Sequence, residues 1–252
     1  MTFVFPQIWA HRGARSQAPE NTLAAFRRAF ELGADGIELD VMCCGTGELV
    51  VFHDYEVSRL TTGKGKTGEL SLQALKSLDV GSHFSPQFAG EPPPTLPEVL
   101  DALPPTASIN IEIKNEAIRS AGEEQIVVKL IRQYRLFDRA IVSSFNPFVL
   151  RRVRKLDPHI RIGYLHEAHP RLYLRPKAVS TWLRPNAVHP EFTVVTSEMI
   201  RQAHQRGVAV HAWTVNEVEV MRRLIEWGVD ALITDFPERA LKLKAEYLTG
   251  NE

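Results

Sequence analysis

The chain has 252 residues, of which 44% are hydrophobic and 24% are charged, and its 30 basic and 30 acidic side chains give a formal net charge of zero. This composition is typical of a globular protein with a large apolar core. A neutral chain offers no general electrostatic surface for nucleic acid or anionic membranes, so we expect a small-molecule partner and no nucleic acid. The balance is compatible with a monomer and with a homodimer.

The amino-terminal segment and the cysteines bear on cellular location. Residues 1–10 lack the basic start and the long apolar stretch of a signal peptide, and no apolar run approaches the length of a membrane-spanning helix. Cys43 and Cys44 are adjacent, and no distant cysteine exists with which either one could pair. This usage is typical of a reducing compartment and does not make a zinc site. We therefore expect a soluble, cytoplasmic protein without stable membrane insertion.

The first part of the chain alternates strand and helix patterns. A short strand over 8–13 ends in a glycine turn, and a helix follows up to Gly33 with Asn21 as its predicted N-cap. A strand at 36–41 comes next. Residues 49–54 form another apolar run after a gap of only seven residues, which is too short for a crossover helix. This run is therefore predicted to return antiparallel, as a hairpin.

Residues 55–95 are rich in glycine, proline and serine, and we expect an insertion or lid there, with one helix at 71–78. A helix capped by Thr95 follows at 95–103. Strands and helices then alternate regularly, apart from a less regular segment after residue 165. The predicted strands lie at 108–114, 140–145, 160–165, 187–189, 208–214 and 231–235, and the predicted helices at 123–134, 148–156, 198–206, 217–227 and 238–247.

Without the hairpin, the predicted strands number eight and alternate with helices along the chain. This alternation over about 250 residues is typical of the α/β class and of the (β/α)8 TIM barrel. We predict a TIM barrel with a small insertion after the second strand. The barrel would form a single catalytic domain over residues 1–252, with the hairpin and the insertion or lid at about 42–95.

Glu38 and Asp40 form the most informative pair of polar residues. They lie two residues apart on a strand, so both carboxylates point to one face while Ile37 and Leu39 point to the other. Two acids side by side on a buried strand repel each other, and desolvation adds to that cost. A hard divalent cation relieves both penalties because it binds carboxylate oxygens. The simpler alternative is a polar strand edge that faces water.

Further polar side chains lie at the carboxyl ends of other strands, where the active sites of TIM barrels are found. Glu112 and Lys114 share the inward face of one strand, and Glu112 completes a three-carboxylate cluster suited to Mg²⁺ or Ca²⁺. His11 and His53 could act as general acid and base on opposite sides of that cation. Arg12 and Lys114 can neutralise a phosphate, so the set favours phosphodiester cleavage.

Each of these residues also has a structural interpretation. Glu112 and Lys114 would form an internal salt bridge that needs no ligand, and His53 would stabilise a His-Asp turn. Trp213 is as consistent with a core aromatic as with a functional one. Structural or supporting roles are the simpler interpretation for three further polar residues near strand ends, His189, His211 and Asp235.

Several short motifs also follow one another in order over nearly the whole chain. They are His11-Arg12-Gly13, Pro19-Glu20-Asn21-Thr22, Ala25-Phe26, Gly33-Ala34-Asp35, Ile37-Glu38-Leu39-Asp40-Val41, Val50-Val51-Phe52-His53-Asp54, Thr95-Leu96-Pro97-Glu98-Val99-Leu100, Ile111-Glu112-Ile113-Lys114, Ser144-Phe145, Trp213-Thr214-Val215-Asn216, Gly228-Val229-Asp230 and Thr234-Asp235-Phe236-Pro237. Each motif is weak by itself, but the ordered set resembles the glycerophosphodiester phosphodiesterases of the cytoplasmic, bacterial type.

This resemblance implies a TIM barrel that hydrolyses glycerophosphodiesters to an alcohol and glycerol 3-phosphate. The family's catalytic histidines map to His11 and His53, and its phosphate-binding cations map to Arg12 and Lys114. Its substrate-lining aromatic residue maps to Trp213. The implied ligands of one divalent cation, Mg²⁺ or Ca²⁺, map to Glu38, Asp40 and Glu112.

One turn departs from the family pattern. Residues 42–47 read Met-Cys-Cys-Gly-Thr-Gly, where the family usually has a charged turn such as Thr-Lys-Asp-Gly. The difference concerns the shape of the turn and substrate preference, because no catalytic position is lost.

Two alternatives stay open at this point. A lysophospholipase D-like or sphingomyelinase D-like phosphodiesterase is similar in fold, but the missing signal peptide and the absence of disulfides argue against it. A non-catalytic barrel that binds glycerophosphodiesters would require the loss of a catalytic residue, and each position is present.

Overall fold

The computed structural model describes residues 4–117, 119–168 and 176–249, without the side chains of residues 176 and 177. Within these residues the chain forms one sheet of nine strands. The strands are β1 (Gln7–His11), β2 (Gly36–Cys43), β3 (Leu49–Val51), β4 (Ser108–Ile113), β5 (Ala140–Ser144), β6 (Arg161–His166), β7 (Ala187–Pro190), β8 (Ala209–Ala212) and β9 (Ala231–Thr234).

All strands except β3 pair in parallel and close into a barrel, because β1 pairs with both β2 and β9. The predicted α/β class and (β/α)8 TIM barrel are confirmed. The described helices are α1 (Leu23–Leu32), α2 (Leu72–Lys76), α3 (Leu96–Ala102), α4 (Glu123–Gln133), α5 (Pro147–Leu156), α6 (Pro176–Leu183), α7 (Ser197–His204), α8 (Val218–Glu226) and α9 (Pro237–Thr249). None of these helices combines the length and the apolar character needed to cross a lipid bilayer.

Strand β4 illustrates how the sequence sets the two faces of the barrel wall. Ile109, Ile111 and Ile113 are buried in the apolar core between strands and helices. Asn110 and Glu112 alternate with them, so they point into the barrel. Polar side chains thereby enter the interior of the barrel without disturbing the apolar layer around it.

The predicted hairpin is also confirmed. β3 pairs antiparallel with the end of β2, where Val51 lies opposite Val41. The Phe52 amide then donates to the Asp40 carbonyl at 3.1 Å, which holds the following residue, His53, beside β2. The strand ends at Val51, before the end of the predicted run, because the next side chains turn into the insertion and toward the barrel mouth.

The insertion that follows β3 has a small apolar cluster of its own. Its short helix α2 lies within the predicted range and buries Leu75. Helix α3 then begins at the predicted cap, where Thr95 and Glu98 form reciprocal hydrogen bonds of a capping box. The buried members of the insertion cluster are Met42, Cys44, Val50, Phe52, Val57, Leu60, Leu75 and Val80.

The predicted N-cap of α1 was wrong. Thr22 caps the helix, since its hydroxyl accepts a hydrogen bond from the Ala25 amide at 3.1 Å. Asn21, one residue earlier, has a φ of 56° and directs its side chain into the barrel instead. Asparagine tolerates this left-handed conformation better than most residues, which frees its amide for a role other than capping.

Helix α6 lies in the segment that was expected to be less regular. Its sequence contains serine, threonine and valine, which have modest helix propensity, so the pattern is weak. Val179 and Leu183 pack into the core, and this tertiary contact outweighs the weak propensity. Residues 169–175 of the same segment lie outside the described residues.

The interior of the barrel below its mouth is filled by side chains from β1, β7 and β8. His211 packs edge-on against Trp9 with ring centroids 4.8 Å apart, and its Nδ1 lies 2.9 Å from His189 Nε2. Burial lowers the pKa of His211 to about 4 and that of His189 well below its ordinary value. Both rings are therefore neutral, and they pack against each other inside the barrel with centroids 4.7 Å apart.

Replacing Gly163 by alanine is expected to destabilise the fold by roughly 1–3 kcal/mol, as overpacking does in other cores. An added Cβ would lie 2.4 Å from His189 Nε2, and this buried ring has no room to retreat. Gly68→Ala is the matched control, because its Cβ would make an ordinary 3.6 Å contact with the Cys43 carbonyl. Urea denaturation of both variants measures the difference, and equal stabilities would contradict this packing.

Candidate active site

Two neighbouring strands bring the acidic cluster together at the carboxyl end of the barrel. The register of β2 and β4 places Asp40 beside Glu112, and Glu38 lies two residues before Asp40 on the same face. One carboxylate oxygen from each of these three residues lies within 4.8 Å of the other two, and all three side chains are buried. Oxygens that bind one Ca²⁺ at about 2.3–2.6 Å are no more than about 5 Å apart, so the three suit a single ion.

The negative charges of the carboxylates in this cluster repel one another. Burial, together with the charges of Asp40 and Glu112, raises the pKa of Glu38 well above its ordinary value. Burial and the Asp40 charge raise the pKa of Glu112 to about 7. Burial also acts on Asp40, but the charges of Arg12 and Lys114 outweigh it and lower the pKa of that carboxyl. Concentrated negative charge of this kind favours a bound cation.

Two cationic side chains border the cluster. Lys114 Nζ lies 3.2 Å from Glu112 Oε1 and 3.7 Å from Asp40 Oδ1. Arg12 Nε lies 3.3 Å from Asp40 Oδ2, and the Arg12 amide donates to Glu38 Oε2 at 3.1 Å. Arg12 has a φ of 57°, and this left-handed turn at the end of β1 aims both its amide and its side chain into the mouth.

His11 is oriented by a carboxylate from the last strand end. Its Nδ1 lies 2.6 Å from Asp235 Oδ1, and its Nε2 lies 4.0 Å from Glu38 Oε2. Burial lowers the pKa of His11 despite the hydrogen bond to Asp235, whose own pKa is lowered by that bond although burial opposes it. Because an ionised carboxylate only accepts hydrogen bonds, Nδ1 carries the proton and Nε2 is free to accept one.

His53 has the same arrangement at the end of the hairpin beside β2. Its Nδ1 lies 2.6 Å from Asp54 Oδ1, and Arg59 donates to the other oxygen of that carboxylate. Burial lowers the pKa of His53 although the charge of Asp40 opposes it. The two histidines are therefore both fixed by carboxylates at Nδ1, with Nε2 available for proton transfer.

These groups share one pocket with an apolar wall. The pocket has an empty volume of about 380 Å³. Trp213 and Phe145 meet edge-on in this wall with ring centroids 5.5 Å apart, and Trp213 Nε1 donates to the His189 carbonyl at 2.7 Å. The lining residues are His11, Arg12, Glu38, His53, Asn110, Glu112, Lys114, Phe145, Leu165, Trp213 and Ile233.

Comparison with known proteins agrees with this geometry. The model of the glycerophosphoryl diester phosphodiesterase family matches residues 11–239 of the chain. The chain belongs to this family. A glycerophosphodiester phosphodiesterase from Caldanaerobacter subterraneus subsp. tengcongensis is 41% identical over 237 residues, which cover 94% of this chain and 96% of the relative. A Bacillus altitudinis glycerophosphodiester phosphodiesterase is 35% identical, covering 95% and 98% of the two chains.

Solved structures of the family are similar throughout. An Oleispira antarctica phosphodiesterase in complex with the product sn-glycerol-3-phosphate is 30% identical, with a TM-score of 0.83 over 96% of this chain and 97% of that one. A putative glycerophosphodiester phosphodiesterase from Galdieria sulphuraria is 28% identical, with a TM-score of 0.85 over 97% of this chain and 100% of the other. The resemblance drawn from the sequence is confirmed, as is the prediction of an enzyme of the phosphodiester hydrolase class.

The structure brings the sequence-predicted residues of this family together at one place. Seven of them line the pocket: His11, Arg12, Glu38, His53, Glu112, Lys114 and Trp213. Asp40 lies behind them within the acidic cluster. Trp213 fits both the structural and the functional interpretation. Its ring lines the pocket, while its ring nitrogen donates a hydrogen bond to the barrel backbone.

Sequence reasoning missed the residues that hold this set in place. The Asn21 amide donates to Asp40 Oδ2 at 2.9 Å, where a helix cap was predicted. Glu20, Arg15 and Arg59 were given no role, although Glu20 and Asn21 stood in one of the matching motifs. Periodicity could not reveal these residues, because it does not report contacts between segments far apart in the sequence. The motif that contains Glu20 and Asn21 was the available signal.

Proposed function

We propose that the protein hydrolyses glycerophosphodiesters to an alcohol and glycerol 3-phosphate, in a reaction that requires one divalent cation. The observation that carries this proposal is a buried cluster of three carboxylates flanked by two carboxylate-oriented histidines. The product named for the Oleispira antarctica relative is the same phosphate ester. The unpaired Cys43 and Cys44 agree with action in the cytoplasm on a water-soluble substrate.

The donor set fits a hard cation. Glu38, Asp40 and Glu112 offer only oxygen ligands, close enough together for one ion. Burial first, and then neighbouring negative charge, raises the pKa of both glutamates, and a bound ion would offset both effects. These three residues would therefore hold one Mg²⁺ or Ca²⁺. When bound, the cation supplies charge neutralisation at the phosphate and lowers the pKa of a coordinated hydroxyl.

His11 and His53 would transfer the protons. One ring, neutral because burial lowers its pKa, accepts at Nε2 the proton of the attacking hydroxyl, which we assign to the glycerol 2-hydroxyl. The new bond joins this oxygen to phosphorus, and the bond from phosphorus to the head-group oxygen breaks. The other ring would take up a proton when the negatively charged phosphate binds beside it, and it gives that proton to the leaving alkoxide. Water then opens the cyclic phosphate with the two roles exchanged.

The remaining pocket residues would bind and orient the substrate. Arg12 and Lys114 would donate to the phosphate oxygens, where their charges also compensate the charge that develops in the transition state. Trp213 and Phe145 would contact the carbon skeleton of the ester. The hairpin and insertion at about 42–95 would serve as a lid within the same catalytic unit. Residues 55–95 of this region, with the loops after β6 and β7, would select the head group.

Release of glycerol 3-phosphate from glycerophosphocholine and glycerophosphoethanolamine is expected only with the cation present. EDTA should abolish release, and readdition of Mg²⁺ or Ca²⁺ should restore it. Activity that survives exhaustive chelation, with no metal detected by elemental analysis, would refute the metal requirement. Turnover of lysophosphatidylcholine alone would favour the lipid-cleaving alternative, and binding without turnover under every metal would favour the non-catalytic one.

A further inference from the structure

A single buried carboxylate, that of Glu20, joins three guanidinium groups beside the pocket. Glu20 is only 6% exposed. Its Oε1 accepts from Arg59 Nη2 at 2.6 Å and from Arg12 Nη1 at 2.9 Å. Its Oε2 lies 3.0 Å from Arg15 Nη2. Although burial opposes it, the hydrogen bond from Arg59 and the charges of Arg12 and Arg15 lower the pKa of Glu20 to about 2, so the carboxylate stays ionised.

Two of these arginines continue to the carboxylates that orient the histidines. Arg15 Nη1 lies 3.7 Å from Asp235 Oδ1, the oxygen that contacts His11. Arg59 donates through Nε to Asp54 Oδ2, while Asp54 Oδ1 contacts His53.

The two connections have the same order of groups, but Arg59 donates a hydrogen bond to Asp54 whereas Arg15 forms only a 3.7 Å ion pair with Asp235. Each runs from Glu20 through one guanidinium and one aspartate to the Nδ1 of one histidine, while Arg12 links Glu20 to the acidic cluster at Asp40. Guanidinium groups suit this task because their planar fork can bond two carboxylates at once.

We propose that Glu20 is the positioning residue that aligns both histidines at once, through Arg15 and Asp235 on one side and Arg59 and Asp54 on the other. The inference rests on the proposed roles of His11 and His53. Glu20 itself does not contact the substrate in this role.

The physical reason lies in the cost of leaving the arginines unpaired. Without the Glu20 charge, three cations within hydrogen-bond reach of one point would repel one another. Arg59 is nearly half exposed, with 46% of its side chain accessible, so it would move toward solvent. Asp54 would then lose a donor and its fixed orientation, and the His53 ring would no longer be held in one tautomer. Arg15 would likewise move away from Asp235 Oδ1, the oxygen that contacts His11, while Asn216 Nδ2 still donates to Asp235 Oδ2 at 2.8 Å.

The test compares Glu20→Gln with Glu124→Gln. Glu124 is a fully buried carboxylate that binds Arg152 at 2.6 Å, but it lies on α4 away from the pocket lining. Steady-state hydrolysis of glycerophosphocholine with saturating metal should show kcat reduced about 10- to 100-fold in Glu20→Gln with KM changed much less, as for loss of an outer-shell partner. Glu124→Gln should retain the kcat of the unmodified protein.

A second readout is independent of turnover. Two-bond ¹H–¹⁵N spectra of the histidine rings distinguish protonation at Nδ1 from protonation at Nε2, and His11→Ala and His53→Ala assign the signals. We expect Glu20→Gln to shift both rings away from the pure Nδ1-protonated form. Arg15→Met should shift only His11, and Arg59→Met only His53. These single variants keep the test open if Glu20→Gln does not fold.

The outcomes separate this inference from the proposed reaction. Unchanged ring signals in a folded Glu20→Gln protein, or equal shifts in Glu124→Gln, would overturn the positioning role whatever the activity. A protein that hydrolyses no glycerophosphodiester but shows the expected shifts would retain the positioning role while its proposed substrate is wrong.

Discussion

His53→Ala is expected to lower kcat by about 100- to 10,000-fold, the range that one general acid or base contributes. Affinity for the product glycerol 3-phosphate should change little, because the phosphate would be held by Arg12 and Lys114 and by the bound cation. The imidazole reaches the mouth from the hairpin, and its Nδ1 is already bonded to Asp54, so alanine removes a proton carrier and no strand contact. Steady-state kinetics and calorimetric titration with glycerol 3-phosphate measure the two effects separately.

His204→Ala provides a matched control for this prediction. His204 also pairs with an aspartate, since its Nε2 lies 2.8 Å from Asp230 Oδ2, but it lies at the end of α7 and does not line the pocket. This variant should keep full activity. If His53→Ala retained near-normal turnover, another group would have to carry the proton and the assignment of His53 would be abandoned.

Glu112→Gln is expected to reduce hydrolysis by more than about 100-fold, beyond what the loss of an outer-shell partner costs. The substitution replaces one of the three proposed carboxylate ligands by a neutral amide, which binds a hard cation more weakly, and it leaves the barrel wall intact because the amide has the same shape. Added Mg²⁺ or Ca²⁺ should raise the melting temperature of the unmodified protein, as any ligand of the folded state does, and should no longer raise that of Glu112→Gln. Glu124→Gln should retain the metal-dependent rise.

Without metal, the stability of the unmodified protein and that of Glu112→Gln should depend differently on pH. The folded-state pKa of Glu112 is about 7, above its unfolded value, so this group favours the folded state at low pH and loses that contribution as the pH rises toward and through 7. A pKa that is one pH unit higher in the folded than in the unfolded protein corresponds to about 1.4 kcal/mol. Glu112→Gln has no such proton to lose, so it should be more stable than the unmodified protein above pH 7 in EDTA. Urea titrations of both proteins at pH 5.5 and 8 measure the free energy of unfolding. An equal change of this free energy with pH in the two proteins would contradict the raised pKa of Glu112.

The alternation of apolar and polar residues was enough to predict most of the fold and the centre of the candidate site. Glu38, Asp40 and Glu112 were assigned to the interior of the barrel because they alternate with apolar residues. The register between the strands then brings their carboxylates close together. His53 was placed correctly because the seven residues between the predicted strands at 36–41 and 49–54 allow only a hairpin. These inferences depend on local spacing, which a single sequence displays directly.

The positions that could not be predicted depend on left-handed turns and distant contacts. Asn21 has a positive φ, and this conformation turns it from a predicted cap into a hydrogen-bond donor to Asp40. The contact between Glu20 and Arg59 joins residues 39 positions apart in the chain. Neither has a period that could be counted, so only motif comparison could have singled them out.

The barrel strands supply the acidic cluster, and Lys114 directly follows β4. His53, Asp54 and Arg59 come from the hairpin and the insertion, which share one apolar cluster. This division limits which part of the insertion can be exchanged for that of a relative. Under the proposed role of the insertion, a chimera that received residues 60–94 from a relative would change its head-group preference while the residues that line the pocket stayed native. A graft that also replaced Arg59 by another residue would import a new entrance and disturb the native centre at the same time.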